Sequence, residues 1–173
     1  MYRACYGIRK LGILVIEDVV KELGYLSLGT RLKRLGETLQ AQSQAVLAAH
    51  GFEQPAAYFP LLAALHRLGP LSVGELSQAV GVSQPVVTRS LCGLENDGLV
   101  QSRTSAEDRR VRHVVLSRKG ANLVRRARCE AWPAIEAAVA QACAGLKADL
   151  LAQLAELEGA LADKPLLRRM REG

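Results

Sequence analysis

The chain has few aromatic residues: two Phe, four Tyr and one Trp in 173 positions. Its core must therefore be filled mostly by Leu, Val and Ala, which leans towards helix. Histidine occurs three times and cysteine four times, at Cys5, Cys92, Cys129 and Cys143. No C-x-x-C and no ligand spacing is present, which argues against a metal site and a redox pair. Free thiols in a reducing compartment are the expectation. The apolar run 11–16 follows Arg9 and Lys10 but is too short for a signal peptide, and Glu17 and Asp18 follow at once. No stretch approaches the ~20 apolar residues that span a bilayer. A cytoplasmic chain without a membrane partner is expected. Motifs of the G-x-S-x-G, P-loop, H-E-x-x-H and G-x-G-x-x-G kinds are missing, so the expectation is no enzyme and no cofactor.

What is present is positive charge, and it is local. The formal net charge is +6. Between positions 101 and 128 stand nine Lys or Arg against Glu107 and Asp108 alone, so this segment accounts for the whole excess. A basic stripe of this kind is the footprint of a polyanion-binding surface.

Hydrophobic spacing divides the chain into helices and one hairpin. Over 19–49 the residues Leu28, Leu32, Leu35 and Leu39 recur at threes and fours, with Gly51 as a stop. Pro55 opens a second helix that Gly69-Pro70 closes. Ser72 and Glu75 have capping-box spacing before a short helix over 73–80. Gly81 turns the chain, and Ser83 with Pro85 starts a helix expected to carry Val86, Val87, Leu91 and Leu94 inward. Strands are expected over 99–103 and 111–116, joined by a polar tip, and Ser117 opens a last helical region that Pro133 should kink. Leu146, Leu150, Leu154, Leu157 and Leu161 form a seam-like stripe near the end. The fold class is mainly α with a small β-hairpin wing: a winged helix-turn-helix between N- and C-terminal dimerisation helices.

The order helix, turn, helix, strand, polar tip, strand places chemistry where a DNA groove would meet it. A recognition helix offers its N-terminal residues to base edges. Here these are Ser83, Gln84 and Pro85, with Thr88 and Arg89 one turn on. Gln pairs bidentately with adenine and Arg with guanine. At the tip, Asp108 can hold one of Arg109 and Arg110 while the other enters the minor groove, and Arg103 and Arg112 on the strands suit the phosphates.

Residues 71–120 resemble the core of the MarR family of transcriptional regulators. The motifs are Val87-Thr88-Arg89, the L-x-x-L-E-x-x-G-L-V run from Leu91 to Val100, the D-x-R of Asp108 to Arg110, and the L-S-x-x-G of Leu116 to Gly120. The stretch starting at Lys21 is similar to the first helix of members fused to an acetyltransferase, although the chain is too short for that second domain. The resemblance implies a homodimer on double-stranded DNA that reads a pseudo-palindromic operator as a repressor. It also implies a small apolar or phenolic effector, for which Tyr58, Phe59 and His66 are the candidates. Some members sense oxidants through cysteine, so a redox-sensing regulator is an alternative, with Cys92 expected buried and Cys129 in an electropositive setting. A second alternative is a winged-helix protein-interaction module that does not bind DNA.

The domain reading is therefore as follows. Residues 1–18 form an extension, disordered or not translated. Residues 19–50 and 121–163 are dimerisation helices, 55–120 the winged helix-turn-helix, and 164–173 a basic tail.

Overall fold

A computed structural model describes residues 9–10, 13–14, 18–104 and 112–172. They fall into two compact units, divided between Leu61 and Leu62.

In the first unit, Arg9–Lys10 (β1) and Ile13–Leu14 (β2) pair antiparallel. Of the extension expected over 1–18, disordered or not translated, only these four positions and Asp18 are among the described residues. The helix expected over 19–49 is in two parts, α1 (Val19–Glu22) and α2 (Leu28–Ala49), separated by the 3-10 turn Gly24–Ser27. The cause is Gly24, whose φ of 56° lies outside the helical region. Ser27 is buried, and its hydroxyl donates to the Val20 carbonyl at 2.5 Å, which fastens the turn to α1. Before α1, the Asp18 carboxylate receives both guanidinium nitrogens of Arg34 at 3.1 and 2.9 Å. This fork holds the Asp18 pKa below its ordinary value. α2 buries Leu47, while Leu32, Leu35 and Leu39 remain exposed. Beyond it Gly51, with φ 71°, turns the chain. Phe52 and Phe59 are buried and meet edge to face at 5.9 Å.

α3 (Phe59–Leu68) begins in the first unit, and its residues from Leu62 onward belong to the second. Gly69 (φ 85°) ends it. α4 (Val73–Val80) starts on a complete capping box: the Ser72 hydroxyl accepts from the Glu75 amide at 3.3 Å, and the Glu75 carboxylate accepts from the Ser72 amide at 2.7 Å. After Gly81, the Ser77 hydroxyl donates to the Val82 carbonyl, and α5 (Gln84–Asn96) begins with Pro85 in its first turn. α4 packs on α5, and Leu76, Val87, Leu91 and Leu94 are buried. Val86 is not inward as expected: it is 50% exposed. Val87, Leu91 and Leu94 step by four and three along one stripe, and Val86 stands about 100° around the helix from it.

β3 (Val100–Thr104) and β4 (Arg112–Leu116) form the antiparallel hairpin, in register from Val100↔Leu116 to Thr104↔Arg112. Leu71 adds a bridge to Val114, with N–H to O distances of 3.1 and 2.7 Å in the two directions. The root of the hairpin is tied to α6 (Arg118–Cys143) by a corner of short contacts. The Ser117 amide donates to Leu99 O at 2.9 Å, its hydroxyl to Gly98 O at 2.7 Å, and Lys119 Nζ to Asp97 O at 2.8 Å. Gly120 is buried there, and a Cβ on it would lie 2.0 Å from the Leu99 carbonyl oxygen.

Pro133 does not interrupt α6, which runs as one helix through it. The proline removes a single hydrogen bond, and the buried residues Val124, Ala127 and Ala131 step along one side of the preceding turns. α7 (Leu150–Asp163) is capped by the Asp149 carboxylate. Its stripe is half-buried at Leu154 and Leu157 and exposed at Leu161, and Leu146 lies before the helix, exposed. The segment expected as a basic tail contains α8 (Leu166–Glu172), with Leu166, Leu167 and Met170 exposed. No helix among the described residues is long and apolar enough to cross a membrane.

Candidate nucleic-acid interface

The start of α5 presents the side chains that the sequence singled out. Ser83, Gln84, Pro85, Thr88 and Arg89 are all exposed, and the stripe Val87, Leu91, Leu94 fixes which way they face by being buried. Ser83 occupies the N-cap with extended backbone, but its hydroxyl makes no capping bond, contrary to the expected cap. The Gln84 side-chain amide nitrogen lies at the head of α4, 3.7 Å from where a Cβ on Gly74 would be, which is ordinary van der Waals distance. The Thr88 hydroxyl donates to the Gln84 carbonyl at 2.9 Å. Among the described residues Arg89 has no ion-pair or hydrogen-bond partner.

The hairpin carries Arg103 and Arg112, both exposed. Arg103 faces His113 across the ladder and Arg112 faces Thr104. Directly opposed residues share a face and consecutive residues alternate, so the two arginines lie on opposite faces of the wing. Asp108, Arg109 and Arg110 lie outside the described residues. One link escaped the sequence reading: Ser102 on β3 donates to the Glu95 carboxylate of α5 at 2.5 Å. The hairpin is thereby joined to the helix whose first turn faces outward.

A second feature lies within the second unit. A cleft of about 560 Å³ is lined by Ala63, His66 and Arg67 from α3 and by Arg128 and Trp132 from α6. Arg128 Nη1 is 3.1 Å from His66 Nε2. A guanidinium can only donate, so Nε2 is the accepting atom in this contact. The lining holds two guanidinium groups and no carboxylate. Of the three expected effector residues only His66 is here. Tyr58 lies half-buried in the 3-10 turn Ala56–Tyr58, and Phe59 is buried in the ring contact with Phe52, both in the first unit. The sequence reading missed Arg67, Arg128 and Trp132. Their only signal was helical spacing, His66 beside Arg67 and Arg128 four residues before Trp132, on helices far apart in the chain.

The thiols are placed differently from expectation. Cys92 is exposed, because it follows buried Leu91 by one helical step. Cys129 is exposed, Cys143 is half-buried, and Cys5 lies outside the described residues. Among the described residues no group of three His, Cys, Asp or Glu could hold a metal ion.

Residues 54–111 match the model of the MarR family. Among solved structures, a MarR-family transcriptional regulator from Silicibacter pomeroyi is similar at 26% identity and TM-score 0.56, over 84% of this chain and 96% of that one. The M. tuberculosis transcriptional regulator MOSR, solved in complex with DNA, is 23% identical with TM-score 0.63, over 79% and 96%. BpsR of Bordetella bronchiseptica, whose DNA binding is regulated by 6-hydroxynicotinic acid, is 23% identical with TM-score 0.58, over 84% and 94%.

Proposed function

We propose that this chain, which matches the model of the MarR family over residues 54–111, is a sequence-specific DNA-binding transcriptional repressor that acts as a homodimer on a pseudo-palindromic operator. The observation that carries this reading is the joined pair of surfaces in the second unit. An exposed recognition helix start at Ser83, Gln84, Pro85, Thr88 and Arg89 is tied through Glu95 and Ser102 to a wing with arginines on both faces. The helix supplies base contacts in the major groove, and Arg103 and Arg112 neutralise phosphates. Arg109 and Arg110 enter the minor groove, with Asp108 steadying one of them. Two-fold symmetry sets the half-sites about one helical turn apart, ~10 bp. A relative solved on DNA supports this geometry by its likeness of fold.

Selection of bound duplexes from a random pool tests the reading. Enrichment of a symmetric sequence is expected, with affinity falling steeply as salt rises. Absence of enrichment, with salt-independent retention, would instead favour a protein-interaction module.

The repressor is ligand-responsive in this reading, as the relative regulated by 6-hydroxynicotinic acid is. The cleft at His66 is the effector site, and its two guanidinium groups favour an anionic planar compound over a neutral apolar one. Calorimetric titration with benzoate and with neutral benzamide distinguishes the two, and equal affinity would contradict the assignment.

A further inference from the structure

The outward side of α5 is more apolar at its start than a recognition helix read through hydrogen bonds would need. Val86, in the first turn, is 50% exposed although the neighbouring Val87 is fully buried. Thr88 is exposed, but its hydroxyl proton is given to the Gln84 carbonyl one turn back. That commitment changes what Thr88 can offer. The hydroxyl retains only lone pairs for a partner, and the remaining outward group is the γ-methyl. Pro85, also exposed, has no N–H at all. Thus three of the exposed positions in the first turns offer carbon or acceptors, and Arg89 offers donors between the two flanks that Val86 and Thr88 occupy. In the major groove one base pair alone presents a carbon group to such a surface, through the C5-methyl of thymine.

We propose that Val86 and Thr88 are specificity-determining residues that read thymine through its 5-methyl group, on the two flanks of Arg89. The inference rests on the DNA-binding reading above and names which operator atoms that helix recognises. The helix then selects thymines by shape and burial, without a hydrogen bond to them.

The test uses the full-length chain and the duplex that it selects from a random pool. Each thymine is replaced in turn by deoxyuridine, which removes the methyl and leaves every hydrogen-bonding group in place. A loss of about fourfold in affinity is expected per buried methyl at one or more positions of each half-site. Thr88→Ser should abolish the loss at one of these positions and Val86→Ala at another, since nothing then covers the methyl. Thr88→Val, which keeps a methyl and drops the hydroxyl, should retain the preference. Both residues are exposed, and unchanged thermal melting of the variants shows that folding is not what moved. If deoxyuridine is accepted everywhere without loss, or if the loss persists in both variants, the proposal is overturned while the DNA-binding reading stands. If no duplex is selected at all, both fall together.

Discussion

Gly120 shows how closely single residues are held at the corner between the wing and α6. The position tolerates no side chain, because a Cβ would stand 2.0 Å from the Leu99 carbonyl oxygen. The severe contact is with the Leu99 backbone, which cannot swing aside as the Leu116 side chain, 3.3 Å away, could. Gly120→Ala is expected to destabilise the protein by about 1–3 kcal/mol, read as a lower urea midpoint with an unchanged slope. The wing arginines act differently, since both are exposed and touch the fold little. Arg103→Ala and Arg112→Ala should leave thermal stability unchanged and weaken all duplexes alike. Each should also lower the slope of log affinity against log salt by about one. Gln84→Ala should instead flatten sequence choice. A footprint that stays equally selective would remove Gln84 from the base-contacting set.

At the scale of elements, α4 depends on an ionised group. Glu75 accepts from the Ser72 amide and hydroxyl, and these bonds, with a smaller contribution from His113, hold its pKa below the ordinary 4.5. A carboxyl whose folded pKa is depressed stabilises the fold above its unfolded pKa, and that support is lost as pH falls through the folded value. Thermal melting should therefore decline below about pH 4.5, and Glu75→Gln should be less sensitive in that range, since an amide still accepts the bond. A parallel decline in the variant would place the acid sensitivity in Asp18 or Glu172, whose pKa values are lowered by Arg34 and by Lys164 with Arg168.

The same elements show what could be read from the chain before folding. The capping box at Ser72 and Glu75, the turns at Gly69, Gly81 and Gly98, and the buried step Val87, Leu91, Leu94 are local, so sequence spacing reveals them. Four features were not legible in this way. Gly24 could have been a tolerated helical glycine, and only its positive φ shows that it breaks the helix. Pro133 forfeits one bond in a helix long enough to absorb the loss. Val86 lies next to the apolar stripe in sequence but about 100° from it in space. The cleft joins α3 to α6, and no spacing rule links His66 with Arg128.

For the whole molecule, the question is what covers its remaining apolar surface. Leu32, Leu35 and Leu39 of α2 are exposed, as are Leu161 of α7 and Leu166, Leu167 and Met170 of α8. Stripes of this kind are normally buried against another chain, and a second copy is the occupant that the proposed operator symmetry requires. Light scattering after size exclusion should give twice the chain mass. Leu35→Asp with Leu39→Asp should reduce it to the chain mass and weaken operator binding with it. A monomer of wild-type sequence that still binds a full operator tightly would reject the dimer.

The corner at Gly120 has a mechanical consequence. Asp97, Gly98 and Leu99, just after α5, are clamped to Ser117, Lys119 and Gly120 at the start of α6. With 26 residues, α6 is about 39 Å long at 1.5 Å per residue. Its first turn is fixed at that clamp. A displacement of roughly 3 Å at the far end of a rigid helix of that length would correspond to a rotation of only about 4° at the clamp. A displacement of the Cys143 end would therefore reach α5 only as a small rotation, and looseness at the clamp would be lost motion.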